Sequence, residues 1–480
     1  MKPAATVALA AGASLIAAIA LSAVAYVQYP GSGFVFAFFN ACFFALAFLI
    51  VPRPRLYVYT FLAALLVLGF WMKVIIQTVW APGFIEAVGD FANTPQEWNN
   101  ALIAASCGAL GAIAARCGHL WFRRKTRGTG ESSDSAGAPD WFVRWRQPVW
   151  MLTIVLVIGL NVANLHFAFF QIGVNPRLIL PLRLNVVLGW LVNIGFALWI
   201  AALLWWDFKN RPQTLGKNLV MPMMEAFLSS VSAFSRLVYP LHAGPYWIAI
   251  AERWQSLGDA LKRKALAALA VWFFIFFVLS VLSVFWLRVL DYYGYSSAKP
   301  PDEPQAQHFQ RTVARQLPDL IVHRWVGLEG VLTVGATTNR GPQQFVAVIT
   351  DGPKLGARSI YQQAAKAGYR ADDPKKFTFL SNAGPIAILL FSSSLAAVLV
   401  GMAAITLVLI VTEEITRRWT GNPFLIAVSG AGLANVVSQM TFPYLTLIFL
   451  LQLWVAVAFL ALIQRIEHTG LRFDEPSGRE

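Results

Sequence analysis

Long apolar runs alternate with short polar loops along most of this chain. Each run is long enough, at about 1.5 Å per helical residue, to cross or nearly cross a hydrocarbon core of roughly 30 Å. The ten runs are residues 5–27, 34–51, 57–79, 101–121, 149–170, 185–206, 265–290, 384–412, 423–439 and 442–464. The pattern predicts an all-α polytopic membrane protein with about ten transmembrane helices.

One long polar stretch, residues 291–383, interrupts the apolar pattern. It carries eleven Lys or Arg and eight Asp or Glu, so its net charge is only about +3. Helical composition at 304–317 places Arg311 and Arg315 on one face, where they could bind phosphate oxygens or simply face solvent. Three parts are therefore predicted: a membrane bundle of about seven helices at 1–290, a large loop with helical segments at 291–383, and a three-helix bundle at 384–480.

The distribution of Lys and Arg predicts the orientation of the helices. The loops 28–33, 83–100 and 439–441 contain no Lys or Arg, whereas basic residues cluster at 123–127 and in the alternate loops. Because cytoplasmic loops collect basic residues, both termini are expected in the cytoplasm and the long loop in the periplasm. The segment 123–147 then becomes a cytoplasmic linker, and 218–264 is interpreted as interfacial helices.

Arg177 and Arg183 are exceptions, because they fall in a short loop on the predicted outer side. The first run could also be a cleaved signal peptide, but its 23 residues favour a retained helix.

Composition excludes several classes of protein. The 480 residues are 57% hydrophobic and 13% charged, which is outside the range of soluble domains. The net charge of +14 is explained by the positive-inside bias, so no nucleic-acid partner is expected. The chain has no phosphate-binding glycine loop and no metal-ligand spacing of His or Cys, so neither a cofactor nor a metal is expected.

Polar side chains inside apolar runs are costly and often mark a functional cavity. Lys73 lies in the outer part of the third predicted helix, where its ammonium requires an anionic partner or water. Asn161, Asn164 and His166 fall in the outer half of the fifth. These positions predict a polar vestibule that opens outward, although Asn and His side chains can equally bond neighbouring helices as packing contacts.

His323, Arg324 and Glu329 stand in an otherwise apolar part of the long loop, 320–334. Charged groups buried there need partners, and a buried Arg324–Glu329 ion pair is the structural alternative to a catalytic role.

Five short parts of the sequence stand out together: Gly69–Lys73, Ala81–Phe84, Glu225–Arg236, Val322–Gly330, and Gly421–Pro423 with Asn435 and Phe442–Tyr444. They resemble pieces of bacterial Wzy-type O-antigen and exopolysaccharide polymerases, the oligosaccharide repeat-unit polymerases. An Arg and a Gly separated by ten residues, a pattern of the family, are matched by Arg324 and Gly335. The equivalent pattern is absent after Arg177 and Arg183, where the corresponding residues are Leu188 and Ile194.

The resemblance implies a metal-independent glycosyltransferase of the bacterial inner membrane. Its substrate would be an undecaprenyl-diphosphate-linked oligosaccharide, and its expected partners are the lipid bilayer, a chain-length regulator and a flippase. Outer-loop arginines would bind the diphosphate.

These expectations combine into a hypothesis for the site. Lys73, Arg177, Arg183 and Arg324 would neutralise the departing diphosphate, with Arg311 and Arg315 as further phosphate contacts. His323 or Glu329 would be the general base, and His166 is a weaker candidate for the site. Replacing Arg324 by Ala is expected to abolish polymer while the protein stays folded. An O-antigen ligase, a transporter of lipid-linked glycan and a structural scaffold are the alternatives.

Overall fold

A computed structural model describes residues 3–52, 55–84, 86–125, 138–252, 259–288, 325–353, 357–367 and 381–465. Arg311, Arg315, His323 and Arg324 lie outside the described residues, as does the predicted helix at 304–317. The described chain is helical, with no strand among its elements.

The helices are numbered in chain order. The first ten are α1 Pro3–Gln28, α2 Gly33–Phe48, α3 Tyr57–Leu66, α4 Lys73–Val79, α5 Pro95–Lys125, α6 Asp140–Phe167, α7 Leu184–Trp190, α8 Phe196–Asn210, α9 Leu215–Asn218 and α10 Val220–Ser232. The next ten are α11 Val238–Ala243, α12 Pro245–Glu252, α13 Asp259–Arg288, α14 Leu328–Ala336, α15 Pro342–Thr350, α16 Ile360–Ala364, α17 Pro385–Leu390, α18 Leu395–Thr420, α19 Pro423–Ser438 and α20 Pro443–Arg465.

Two π turns, in which backbone hydrogen bonds span one extra residue, each join two of the described helices. The first π turn, Val67–Met72, joins α3 to α4, and the second π turn, Leu191–Gly195, joins α7 to α8. Such turns interrupt the regular backbone ladder and are frequent at functional sites.

Seven of the described helical stretches are long and apolar enough to cross a membrane, which makes the chain consistent with a polytopic membrane protein. They are 57–79, 95–125, 140–167, 184–210, 263–288, 395–420 and 443–464, and each overlaps one of the predicted spans. Apolar helices at Leu15–Gln28, Gly33–Phe48 and Pro423–Ser438 are shorter and coincide with the other three.

One predicted span differs from the observed helix. The apolar run 384–412 divides into the short α17 and the long α18, because the chain turns at residues 391–394. Gly384, just before α17, has a φ of +78°, a conformation that favours glycine. The long helix therefore begins at Leu395 and extends to Thr420, eight residues beyond the predicted end at 412.

The chain forms two compact units, each assembled from distant segments. Unit 1 consists of Met1–Lys125, Ser297–Ile410 and Ala434–Leu447, and unit 2 of Thr126–Ser296, Val411–Leu433 and Ile448–Glu480. The units are interleaved along the sequence. The division into 1–290, 291–383 and 384–480 stays a prediction.

Unit 1 has a core of small and aromatic side chains. Helix α5 contributes a buried surface of Ala and Gly, and a Cβ on Gly111 would lie 2.3 Å from the carbonyl oxygen of Leu399. Small residues allow such close helix packing where lipid, not water, surrounds a bundle.

Unit 2 is built around α8 and α10. Trp205 and Trp206 of α8 are almost fully buried, and the Trp205 ring packs edge-on against Phe424 at 5.9 Å between centroids. The segment 218–264, predicted as interfacial helices, contains α10 to α12 and the start of α13. Helix α10 buries seven of its residues, including Glu225.

Candidate active site

A buried ion pair joins the start of α4 to the start of α14 in unit 1. The Lys73 ammonium lies 2.5 Å from both carboxylate oxygens of Glu329, although 256 residues separate the two in sequence. Their side chains are 2% and 5% exposed. Because an isolated buried charge is very costly, each group makes the burial of the other tolerable.

Close backbone packing brings these two segments together. A Cβ on Gly69, in the first π turn, would lie 2.1 Å from the carbonyl oxygen of Val326. A Cβ on Gly327 would lie 2.6 Å from the carbonyl oxygen of Gly69. Only glycine at both positions allows the π turn and the start of α14 to approach so closely, so the two glycines fix where Lys73 and Glu329 meet.

A tyrosine phenol lies near the ion pair. Burial raises the pKa of the Tyr361 phenol. The negative charges of Glu329 and Glu86 raise this pKa further, whereas hydrogen bonds with the Ser381 and Thr333 hydroxyls lower it. Tyr361 therefore interacts with the Glu329 carboxylate and with two hydroxyl groups. The site therefore combines a cation, a carboxylate and neutral hydrogen-bonding groups within unit 1.

The loop that follows α4 is attached to the same region. The Gln77 side-chain amide donates to the Gly83 carbonyl at 2.9 Å, and the Gly89 amide donates to the Ala365 carbonyl at 3.1 Å. An exposed ion pair, Asp90 with Lys366, joins the same loop to the chain after α16. The loop and α16 are thus tied together beside the buried pair.

The structure brings together two of the predicted site residues. The sequence predicts that Lys73 needs an anionic partner, and in the structure this partner is Glu329. From the sequence alone, Arg324 was the expected partner of Glu329 in the structural alternative. The catalytic and binding roles assigned to both residues remain predictions.

The remaining described candidates belong to unit 2. His166 is exposed near the end of α6, and its carbonyl accepts a hydrogen bond from the Arg177 guanidinium at 3.3 Å. Arg183 ends a short 3-10 helix, Pro181–Arg183, and its side chain is outside the description. Arg311, Arg315, His323 and Arg324 are likewise not described, so the predicted vestibule stays a prediction.

The two asparagines of the fifth predicted span pack against α10. The Ser232 hydroxyl donates to the Asn161 side-chain oxygen at 2.5 Å, and the Asn164 amide donates to the Ser232 carbonyl at 3.0 Å. Both asparagines therefore bond a neighbouring helix, which is the packing role that the sequence offered as an alternative to a vestibule.

A second buried ion pair in unit 2 was not anticipated from the sequence. Nδ1 of His242 lies 3.1 and 3.2 Å from the two carboxylate oxygens of Glu225, and Nε2 lies 2.6 Å from the carbonyl oxygen of Asn193. Asn193 belongs to the second π turn. A signal was available, because Glu225 and His242 stand among apolar residues, but the segment 218–264 that contains them was interpreted as interfacial helices.

Burial alone lowers the pKa of His242, but the charge and hydrogen bond of Glu225 and the bond to the Asn193 carbonyl outweigh it and raise the pKa. Ser229 also donates to Glu225 at 2.8 Å. Each polar atom of this pair thus faces a matching group.

Comparison with known proteins identifies no relative: no family model, curated protein or solved structure matches the chain. Among the described residues, no group of three or more His, Cys, Asp or Glu is arranged to hold a metal ion.

Proposed function

We propose that this chain is a membrane glycosyltransferase that polymerises oligosaccharide repeat units carried on a polyprenyl diphosphate. The observation that carries the proposal is the buried Lys73–Glu329 pair in a helical protein with seven candidate membrane spans. Together with the resemblance to repeat-unit polymerases, it supplies the two kinds of group that this reaction requires.

Glycosyl transfer of this kind needs a base and a positive charge. The acceptor hydroxyl gives its proton to the Glu329 carboxylate as its oxygen attacks the anomeric carbon of the donor. The bond from that carbon to the diphosphate oxygen breaks, and the polyprenyl diphosphate leaves with the electron pair. The Lys73 ammonium stabilises the negative charge that develops on the departing oxygens.

Exchange of partners links substrate binding to catalysis in this proposal. Among the described residues, the Glu329 carboxylate accepts hydrogen bonds from Lys73 alone. A diphosphate that binds Lys73 would replace Glu329 as its partner and release the carboxylate to accept a proton. The neighbouring Tyr361 and Thr333 would offer hydrogen bonds to sugar hydroxyls.

The proposal includes a location and a topology. The chain would lie in a bacterial inner membrane, with ten transmembrane helices, both termini in the cytoplasm and residues 291–383 in the periplasm. A flippase would deliver the substrate, and a chain-length regulator would act on the product. Single cysteines placed at 130 and 300, in a variant that lacks Cys42, Cys107 and Cys117, are labelled from each side of the membrane to test this orientation.

Reconstitution tests the activity directly. The purified full chain is placed in liposomes that contain lipid A and an undecaprenyl-diphosphate-linked oligosaccharide, and polymer length and released undecaprenyl diphosphate are measured. We expect a ladder of products and stoichiometric release of the lipid carrier. Transfer of the glycan to lipid A without polymerisation would favour a ligase, and movement across the bilayer without release would favour a transporter; either result contradicts the proposal.

Glu329→Gln tests the proposed base. The substitution preserves the size of the side chain, and loss of general-base catalysis is expected to slow polymerisation by about 10²–10⁴-fold. Asp90→Asn is the matched control, because it also removes a carboxylate paired with lysine in unit 1, but at an exposed position. Equal activity of Glu329→Gln and the wild type would reject Glu329 as the base.

A further inference from the structure

A cavity of about 350 Å³ opens beside the first part of α6 in unit 2. Its polar lining consists of Arg146, Gln147, Trp150 and Asn218, and the rest is apolar. We propose that this cavity binds the phosphate headgroup of an anionic phospholipid, a role separate from glycosyl transfer.

A kink in α6 shapes the cavity. Trp145 has a non-helical conformation, with φ −104° and ψ 21°, and Pro148 follows three residues later. Proline has no backbone N–H, so the carbonyl of Arg144 loses its regular helical hydrogen bond. The kink lies directly beside Arg146 and Gln147, at the polar end of an otherwise apolar helix.

The position of Arg146 is fixed by a buried carboxylate. Its Nε and Nη2 both donate to Asp207, the second at 3.0 Å, and Asn218 donates to the same carboxylate. Asp207 is fully buried, whereas the Arg146 side chain remains 20% exposed. Asp207 therefore holds one edge of the guanidinium, and the fork retains further N–H groups for another acceptor.

Trp150 supplies a second, independent indication of a ligand. Its side chain is only 8% exposed, and within the described part of the chain its indole N–H has no hydrogen-bond partner. A buried donor without an acceptor is costly. A phosphate oxygen in the cavity that Trp150 lines would satisfy this donor.

The surroundings favour a lipid as the source of the phosphate. On the same helix, Met151, Leu152 and Val155 are 68%, 60% and 65% exposed, so an apolar surface continues from the cavity along α6. Acyl chains would lie along this surface while the headgroup occupies the polar end.

Local charge favours an anionic headgroup. Residues 138–152 and 207–221 together contain five basic residues (Arg144, Arg146, Lys209, Arg211, Lys217) and two acidic ones (Asp140, Asp207). Basic pockets between membrane helices attract anionic lipids by about 1 kcal/mol for each basic residue near the surface.

Native mass spectrometry of the full chain in detergent provides the test, with phosphatidylglycerol and phosphatidylcholine titrated separately. We expect tighter binding of phosphatidylglycerol, and we expect Trp150→Phe to weaken it about tenfold through loss of one hydrogen bond to a charged group. Trp190→Phe is the matched control: the indole N–H of Trp190 also lacks a partner within the described chain, but it does not line the cavity.

Three outcomes would overturn the proposal: equal affinity for both lipids, unchanged binding by Trp150→Phe, or the same loss with Trp190→Phe. If Trp150→Phe does not fold, Gln147→Ala replaces it, because Gln147 is exposed and its removal leaves the packing intact. Unchanged phosphatidylglycerol binding by Gln147→Ala would then reject the site.

Discussion

Among the described residues, two ion pairs have both side chains at most 5% exposed, and each lies beside a π turn. They differ in how completely their polar atoms are satisfied. In unit 1, the Glu329 carboxylate accepts hydrogen bonds only from Lys73 among the described residues. In unit 2, Glu225 accepts from both His242 and Ser229, and His242 also reaches the Asn193 carbonyl.

The two π turns make different contributions. The second π turn places a backbone carbonyl against Nε2 of His242, so the irregular backbone completes a closed network. The first π turn instead brings Gly69 against Gly327 and places Lys73 at the beginning of the next helix. The second π turn therefore supplies a hydrogen-bond acceptor to the His242–Glu225 pair, whereas the first π turn positions the Lys73–Glu329 pair.

This difference indicates which pair is suited to exchange partners. Opening the His242–Glu225 network would leave several buried groups unsatisfied at once, which is costly. Opening the Lys73–Glu329 pair breaks one interaction, and an incoming anion could replace it. We therefore expect the unit 2 pair to be structural and the unit 1 pair to be functional.

The largest expected effect comes from replacing both members of the unit 1 pair with apolar residues, Lys73→Met with Glu329→Leu. Apolar replacement of a whole buried pair is often neutral for stability. We expect a folded protein whose polymerisation rate is at least about 100-fold lower, because the proposed base and cation are both gone. Measured unfolding and product ladders separate the two effects, and a folded variant with wild-type activity would contradict the functional role.

Lys73→Met alone should have the largest effect on stability. It leaves the Glu329 carboxylate buried without its partner, and such changes cost about 3–5 kcal/mol. The free energy of unfolding, measured by denaturant titration in detergent, should therefore fall well below that of the double variant. A loss of less than about 1 kcal/mol would mean that Glu329 has another partner or access to water.

The sequence predicted the long apolar helices but only part of the site. Apolar runs overlap all seven membrane-length helices among the described residues, because the length and composition of such helices depend on the bilayer. Lys73 was recognised for the same reason, since a cation in an apolar run requires an anion. Its pairing with Glu329 could not be derived, because it depends on a contact across 256 residues that two glycines make possible.

The His242–Glu225 pair of unit 2 could not be predicted from the sequence for another reason. Mixed polarity in 218–264 is compatible with an interfacial helix or with a buried polar network, and periodicity does not separate them. Tertiary packing of α10 decided between them by burying Glu225.

Gly327→Ala tests whether close packing positions the unit 1 pair. The added Cβ would meet the Gly69 carbonyl, so the start of α14 must move, at a cost of about 1–3 kcal/mol and with reduced activity. Gly335→Ala in the same helix is the control: its Cβ would meet nothing within 4 Å, and alanine should stabilise the helix by up to about 1 kcal/mol. Similar unfolding free energies for the two variants would show that the approach at Gly69 is unimportant.

The pH dependence of unfolding tests the closed network in unit 2. The pKa of His242 is raised above its ordinary value of 6.5, so the folded protein binds a proton more tightly than the unfolded chain. Its stabilisation is complete below pH 6.5 and is lost as the pH rises through the folded pKa, with a slope of at most about 1.4 kcal/mol per pH unit.

In Glu225→Gln the lowering effect of burial should dominate, so the histidine contribution changes sign and weakens the protein as the pH falls below 6.5. Unfolding midpoints of both proteins between pH 5 and 9 check this reversal. Parallel pH profiles for the two proteins would show that Glu225 does not control the protonation of His242.

The smallest effect is expected for the exposed pair of unit 1, Asp90 with Lys366. These side chains are 58% and 64% exposed, and solvent-exposed ion pairs contribute roughly 0–1 kcal/mol. Lys366→Met should therefore change the free energy of unfolding by less than about 1 kcal/mol, and added salt should reduce even that. The backbone hydrogen bond from Gly89 to Ala365 holds the same loop without any charge. A Lys366→Met loss as large as that of Lys73→Met would mean that burial does not distinguish the two pairs, and the comparison on which the proposed site rests would fail.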